Sequence, residues 1–205
     1  MIYKYFYRII QKSIELIIST KKNFSKSLAL LIQNTNFDEI YDIGGSDGEL
    51  LEELDIKNKR YFCLDIDSHN ISVGKKKYKN NKNIFLINKH IDFIKLKNNK
   101  RKKLFIFKGV FHHLTDLEIK NFLKKIKNDS VISIDPFYHE NQKKISVLLK
   151  KLDKGNYIRD FWGYHKILGG FSYKKKIDYY LKFYSHVLFY KKINKKLINR
   201  YFNGN

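Results

Sequence analysis

Tyr41-Asp42-Ile43-Gly44-Gly45-Ser46-Asp47-Gly48 is a short apolar approach that reaches an acid and then a turn of small residues. Glycines let the backbone take positive φ and come close to a partner. Glu49-Leu50-Leu51-Glu52-Glu53-Leu54 follows and reads as the first turns of a helix. A helix N-terminus presents unpaired N–H groups. Acid, glycine-rich turn and helix in that order make a cradle for a nucleoside-bearing ligand. The competing reading is an ordinary turn between strand and helix.

Spacing separates the glycine-rich loops. A phosphate-binding loop ends in Gly-Lys-Ser/Thr, whereas Gly48 precedes Glu49. The dinucleotide fingerprint Gly-x-Gly-x-x-Gly, counted from Gly44, meets Ser46 and Glu49 where glycines belong. Asp42 and Asp47 would also sit badly beside a pyrophosphate. The pattern that remains is Asp-x-Gly-x-Gly-x-Gly, met by Asp42, Gly44 and Gly48 with Ser46 at the middle glycine. It resembles the first motif of the class I S-adenosylmethionine-dependent methyltransferases.

Later segments add to the resemblance in order. Arg60-Tyr61-Phe62-Cys63-Leu64-Asp65 is an aromatic strand closing on an acid. In α/β nucleoside sites such an acid, about 20 residues after the glycines, accepts the ribose hydroxyls; otherwise it caps the next turn. Asn83–Ile87 reads as a third strand, with Asn88 and Asp92 as the polar groups after it, neither matching the family position for adenine. Lys103–Phe107 reads as a buried fourth strand, and Gly109-Val110-Phe111-His112-His113-Leu114 resembles the stretch after it in small-molecule methyltransferases. Thr115 and Glu118 form a capping box that opens a helix through Lys127. Val131–Pro136 is a fifth strand closing on Asp135-Pro136, and Leu152–Arg159 resembles a segment after the fifth strand in a subset of the family. The resemblance spans roughly residues 38–165.

It implies a Rossmann-like three-layer α/β sandwich, with a mostly parallel seven-stranded sheet whose last strand is antiparallel. Residues 171–192 would supply the closing strands. It implies S-adenosyl-L-methionine as cofactor, held by Asp42, Gly44, Gly45, Gly48, Asp65 and Ile66. His113 would sit at the carboxyl edge of the fourth strand, where open α/β sheets bind ligands. A histidine there can take the proton of a hydroxyl or ammonium near neutral pH. A half-buried histidine held by a carbonyl is the competing reading, and His112 and His113 could exchange roles. His112, Tyr138, Asp153 and Arg159 are expected on the acceptor side, the arginine gripping an acidic group. A surface pair between Asp153 and Arg159 is the alternative.

Composition sets wider limits. The chain has 205 residues and a formal charge of +22, enough for a core that buries about 70% of the unfolded surface. Residues 1–36 are expected as a helical region packing on a domain of residues 37–205. Ile10, Ile14, Ile17 and Ile18, then Leu28, Leu31 and Ile32, recur at helical spacing. Charged residues interrupt every apolar stretch before a membrane span is reached. Cys63 is the only cysteine, which fits a reducing compartment, by default the cytoplasm. Strong basicity attracts nucleic acid non-specifically. Yet Lys, Asn, Ile, Tyr and Phe are abundant together, and Ala29 and Pro136 stand alone as alanine and proline. That skew fits an A- and T-rich genome better than a basic groove, and the lysine runs at 75–77, 100–103 and 174–176 are expected in surface loops. Asp135-Pro136-Phe137-Tyr138 keeps nucleic acid as second choice, since it resembles the Asp-Pro-Pro-Tyr signature of nucleic-acid amino-methyltransferases. A small-molecule acceptor comes first, and a non-catalytic Rossmann-like binding module, to which Ser46 in the glycine motif points, is the other class left open. No obligatory metal is expected: His139-Glu140 lacks a second histidine at i+4, and His112 and His113, if extended, point to opposite sides.

Overall fold

A computed structural model describes residues 20–91, 99–142, 144–153, 155–179 and 184–202. Helix α1 (Thr20–Gln33) leads into β1 (Glu39–Ile43), β2 (Arg60–Asp65), α2 (Ser68–Lys77), β3 (Ile84–Asn88) and β4 (Lys103–Lys108). After α3 (Asp116–Lys125) come β5 (Ser130–Tyr138), α4 (Lys144–Leu152), the two-residue β6 (Arg159–Asp160) and α5 (Phe161–Ile167). Strands β7 (Ser172–Tyr179) and β8 (Tyr184–Lys191) and helix α6 (Lys195–Phe202) complete the chain. The main sheet runs β3-β2-β1-β4-β5-β8-β7, with β6 attached to the end of β5. Strands β1 to β5 pair in parallel, and β8 runs antiparallel to both β5 and β7. This is the expected Rossmann-like architecture.

Period-2 alternation along each strand divides the core in two. Ile40, Cys63, Leu104, Ile106, Ile132, Ile134 and Leu188 face α1, α2 and α6. Tyr41, Leu64, Phe105, Phe107, Val131, Val187 and Phe189 face α3 and α5. Leu28, Leu31 and Ile32 of α1 are fully buried in the first layer, so the periodicity around them marks a core face. The repeat at Ile10, Ile14, Ile17 and Ile18 lies outside the described residues.

Aromatic residues replace the usual β-branched ones and stack across the sheet. Phe105, Tyr41, Phe62 and Phe85 lie on four neighbouring strands in register, with centroids 4.7, 4.7 and 4.8 Å apart. Such cross-strand pairs each contribute up to about 1 kcal/mol. Glu39, 1% exposed at the start of β1, accepts from Tyr41 Oη, Arg60 and Arg101 at 3.0, 3.2 and 3.4 Å.

Three local expectations change. The segment after Gly48 is a four-residue 3₁₀ turn, Glu49–Glu52, and not the start of a longer helix. Leu54 and Ile56 are both buried, and burying residues two apart pulls the chain out of helical geometry. Strand β5 does not close at Pro136 but continues to Tyr138, because Phe137 and Tyr138 pair with Arg159 and Asp160 of β6. The lysines at 174–176 lie in β7, and those at 75–77 in the last turn of α2, where cations suit the helix dipole. Among the described residues no helix is long and apolar enough to cross a membrane.

Candidate active site

The sheet order brings the carboxyl ends of β2, β1, β4 and β5 side by side. The topological switch point lies between β1 and β4, where open α/β sheets bind ligands. Every sequence-derived candidate on these strands falls on that edge.

The loop after β1 takes positive φ at Gly44 (70°), Ser46 (56°) and Gly48 (88°). This alternation explains a motif with glycine at every second position. Ser46 accepts a conformation that costs an L residue about 1 kcal/mol or more. Gly45 is needed for a different reason: a Cβ there would lie 2.7 Å from an Asp42 carboxylate oxygen and 2.8 Å from Cys63 Sγ. The loop is pinned by Gly44 N–H to Leu64 O at 2.7 Å and Gly48 N–H to Gly45 O at 2.9 Å.

Asp65 closes β2 beside this loop. One carboxylate oxygen accepts from Ser46 N–H and the other from Asp67 N–H, each at 2.8 Å. The side chain is half-exposed, and each carboxylate oxygen retains further acceptor capacity. Ile66 beside it is 72% exposed, an apolar surface at the rim. Asp42 lies underneath the loop, buried, accepting from the Tyr61 hydroxyl. Burial holds its carboxyl up at about 6, opposed by Lys108. Lys108 pairs with Glu49 at 3.2 Å, tying the 3₁₀ turn to the end of β4. Asn88 donates from its amide to Asp65 O at 3.0 Å, and Asp92 lies outside the described residues.

The histidine pair is not extended. Phe111–His113 form a 3₁₀ turn, so both rings lie on one side, with centroids 4.1 Å apart. His112 is the buried member. Its backbone N–H and its Nδ1 meet Asp135 Oδ1 at 3.2 and 3.0 Å, and its Nε2 lies 3.6 Å from Asp153 Oδ1. Burial opposes charging of the ring, but the two carboxylates win and push it up to about 9. Ser133 Oγ donates to the other Asp135 oxygen at 2.8 Å. Gly155 packs flush on the ring, since a Cβ there would meet His112 Cδ2 at 2.0 Å. His113 is exposed.

Two acceptor-side expectations change. Arg159 does not face Asp153. Its five N–H groups go to Asp116 Oδ1 (3.0 and 2.7 Å), Phe111 O (3.0 Å), Tyr157 O (2.8 Å) and Leu114 O (2.8 Å). The fork is fully used in stapling β6 to the turn that carries the histidines, so none is left to grip a substrate anion. Asp153 instead faces His112. Tyr138 is half-buried in β5, with the Lys150 ammonium 5.5 Å from its ring. His139 Nε2 shares a hydrogen bond with Ser185 Oγ at 2.9 Å.

Sequence reasoning missed Asp135 as the partner of His112, although strand order alone would have set an acid ending β5 beside a histidine following β4. It also missed Lys150, which is 1% exposed and donates to Phe137 O at 2.6 Å and Gln142 Oε1 at 2.7 Å. Burial brings its ammonium down to about 8; nothing distinguishes it in sequence from surface lysines nearby. Two clefts also open at the opposite edge of the sheet, around Arg101, Asp129 and Lys192 and around Phe37, Asp38 and Lys59. They hold none of the candidate side chains.

No family model matches the sequence, and no curated protein matches it. Solved structures do. A SAM-dependent methyltransferase from Aquifex aeolicus superposes with TM-score 0.57 at 15% identity, over 80% of this chain and 87% of that one. Human N-acetylserotonin methyltransferase in complex with SAM gives 0.60 at 20% identity, over 89% of this chain and 55% of that one. Magnesium protoporphyrin IX methyltransferase from Synechocystis, with bound SAH, gives 0.58 at 17% identity, over 88% and 81%. The chain therefore has the fold of these class I methyltransferases.

Proposed function

We propose that the protein is an S-adenosylmethionine-dependent methyltransferase acting on oxygen or nitrogen of a small molecule. The observation that carries this reading is the loop with positive φ at residues 44, 46 and 48, tied directly to the Asp65 carboxylate at the switch point of the sheet. The residues present fit the cofactor. Gly44 and Gly48 give the loop its positive φ, Gly45 lets it sit flush on Asp42 and Cys63, Asp65 retains acceptor capacity for a ribose diol, and exposed Ile66 offers an apolar wall for a base. Asp42 serves from below, setting the loop through its contact with Gly45. When bound, the cofactor supplies a methyl group on a sulfonium that carries its own leaving group. The chain must hold the acceptor in line and keep water out, and such orientation can supply about 7–11 kcal/mol of a barrier. His113 is the candidate for taking the acceptor's proton, because His112 has both ring nitrogens facing carboxylates and is buried.

An acidic acceptor has lost the arginine that motivated it, while a sugar or other hydroxyl-bearing metabolite remains suited to the site. Nucleic-acid methylation loses support as well. Asp135, which would have to face a flipped base, is 1% exposed and engaged with His112 and Ser133. A chain whose single cysteine admits no internal disulfide fits a reducing compartment such as the cytoplasm. Calorimetric titration with S-adenosylhomocysteine tests the proposal without knowledge of the acceptor. Saturable one-to-one binding is the expected result, and absence of binding to the folded protein refutes it.

A further inference from the structure

Beside the cofactor cradle, three side chains converge in a way that methyl transfer alone does not require. A ring nitrogen of His112, a ring nitrogen of His113 and a carboxylate oxygen of Asp153 all lie within 4.8 Å of one another. They come from two separate segments, the turn after β4 and the loop after α4. We propose that these three residues bind a divalent first-row transition ion, and that the ion holds the oxygen of the acceptor.

The geometry is close to a coordination sphere. A tetrahedral ion with bonds of about 2.0–2.1 Å keeps its ligand atoms roughly 3.4 Å apart. The His112 Nε2 to Asp153 Oδ1 separation is 3.6 Å, so that edge needs to close by only a few tenths of an ångström. His113 lies on the exposed side, its ring nitrogen within 4.8 Å of the other two ligand atoms. Two imidazoles and one carboxylate suit zinc, iron(II) or manganese, and they leave positions for water or substrate.

The surroundings are those of a metal ligand too. A ligating histidine usually gives its other ring N–H to a carboxylate, which fixes the tautomer and the ring plane. His112 Nδ1 meets Asp135 Oδ1 at 3.0 Å, and Asp135 is itself fixed by Ser133 Oγ at 2.8 Å. That leaves Nε2 directed at Asp153. The loop is clamped over the ring by Tyr157 N–H to His112 O at 2.9 Å, and Gly155 permits the close approach. An ion between Nε2 and the Asp153 carboxylate, whose side chain is 24% exposed, would take the place of any proton on that nitrogen. A hydroxyl on the open side of such an ion loses its proton far more readily than a free one. His113 would then act as a ligand, and the ion would take over the acidification otherwise asked of it.

The inference deepens the proposed function by naming a hydroxyl-bearing acceptor, but its test does not depend on the cofactor. Chelator-stripped full-length protein is titrated with Co²⁺, following ligand-field absorption and heat, and the titration is repeated with Zn²⁺. One equivalent should bind, with at least tenfold weaker affinity in His113→Ala and in Asp153→Asn. Circular dichroism and thermal unfolding establish that both variants are folded. No saturable binding of either ion, or equal affinity in both folded variants, overturns the inference. Binding of S-adenosylhomocysteine by the metal-free protein is measured in parallel, so loss of the metal site leaves the methyltransferase reading standing.

Discussion

Asp65→Ala probes the cradle at the point where fold and function meet. The carboxylate accepts two backbone N–H groups, from Ser46 and from Asp67, at 2.8 Å each. Hydrogen bonds to a charged group are worth about 1.5–3 kcal/mol, but Asp65 is half-exposed and water can replace part of each. A loss of about 2 kcal/mol of stability follows, which lowers Tm by about 4–8 °C in a protein of this size. The ligand effect is separate. Losing the acceptor for a ribose diol should weaken S-adenosylhomocysteine binding by roughly tenfold or more, equivalent to about 1.4 kcal/mol. Ser46 adds to this, because its strained φ of 56° is held by the lost bond. Calorimetry and thermal unfolding on the same samples, with binding measured well below Tm, separate the two terms. Asp65→Asn keeps one acceptor oxygen and should fall between the variant and the wild type. Unchanged affinity in folded Asp65→Ala protein would refute the ribose assignment.

Further outcomes follow from the same geometry. Asp42 is held up at about 6 against an ordinary 3.8, so the unfolded chain ionises first and stability falls as pH rises between those values. The loss approaches about 3 kcal/mol above pH 6, with Lys108 opposing it and Glu49 and Asp65 reinforcing it. Asp42→Asn should therefore gain on the wild type from pH 4 to pH 7 in urea unfolding, and parallel curves would contradict the burial argument. Gly45→Ala drives a methyl into Asp42 and Cys63, and should cost about 1–3 kcal/mol together with cofactor affinity; a Tm within a degree of wild type would count against the packing described. Arg159→Lys offers three donors to acceptors that now receive five, and should lower stability by about 2 kcal/mol with S-adenosylhomocysteine affinity unchanged. A loss of that affinity would place Arg159 in the cofactor site.

Strands β1 to β5 were legible because each carries a local signature, whereas the closing strands followed only from the family resemblance. Tyr41-Asp42-Ile43 before the glycines, the acid at Asp65, and the capping box at Thr115 and Glu118 require only near neighbours. The box forms as read, with Thr115 N–H to Glu118 Oε2 at 2.7 Å. What escaped was settled by residues distant in sequence. Arg159 looked available because Asp116, its partner, lies 43 residues away. His112 and His113 point apart only on an extended backbone, and the packing of Phe111 into the core turns the chain there instead. The run Glu49–Leu54 looked helical by composition, yet Leu54 and Ile56 both had to reach the core. Ser46 was visible as a departure from the motif, but only its φ explains why glycine is the expected residue there.

A crystal structure of the protein grown with S-adenosylhomocysteine tests the central claim most directly. The ligand should lie over residues 44–48, with both ribose hydroxyls within hydrogen-bonding distance of Asp65 and its adenine against Ile66. A ligand bound elsewhere, or a ribose turned away from Asp65, would contradict the account.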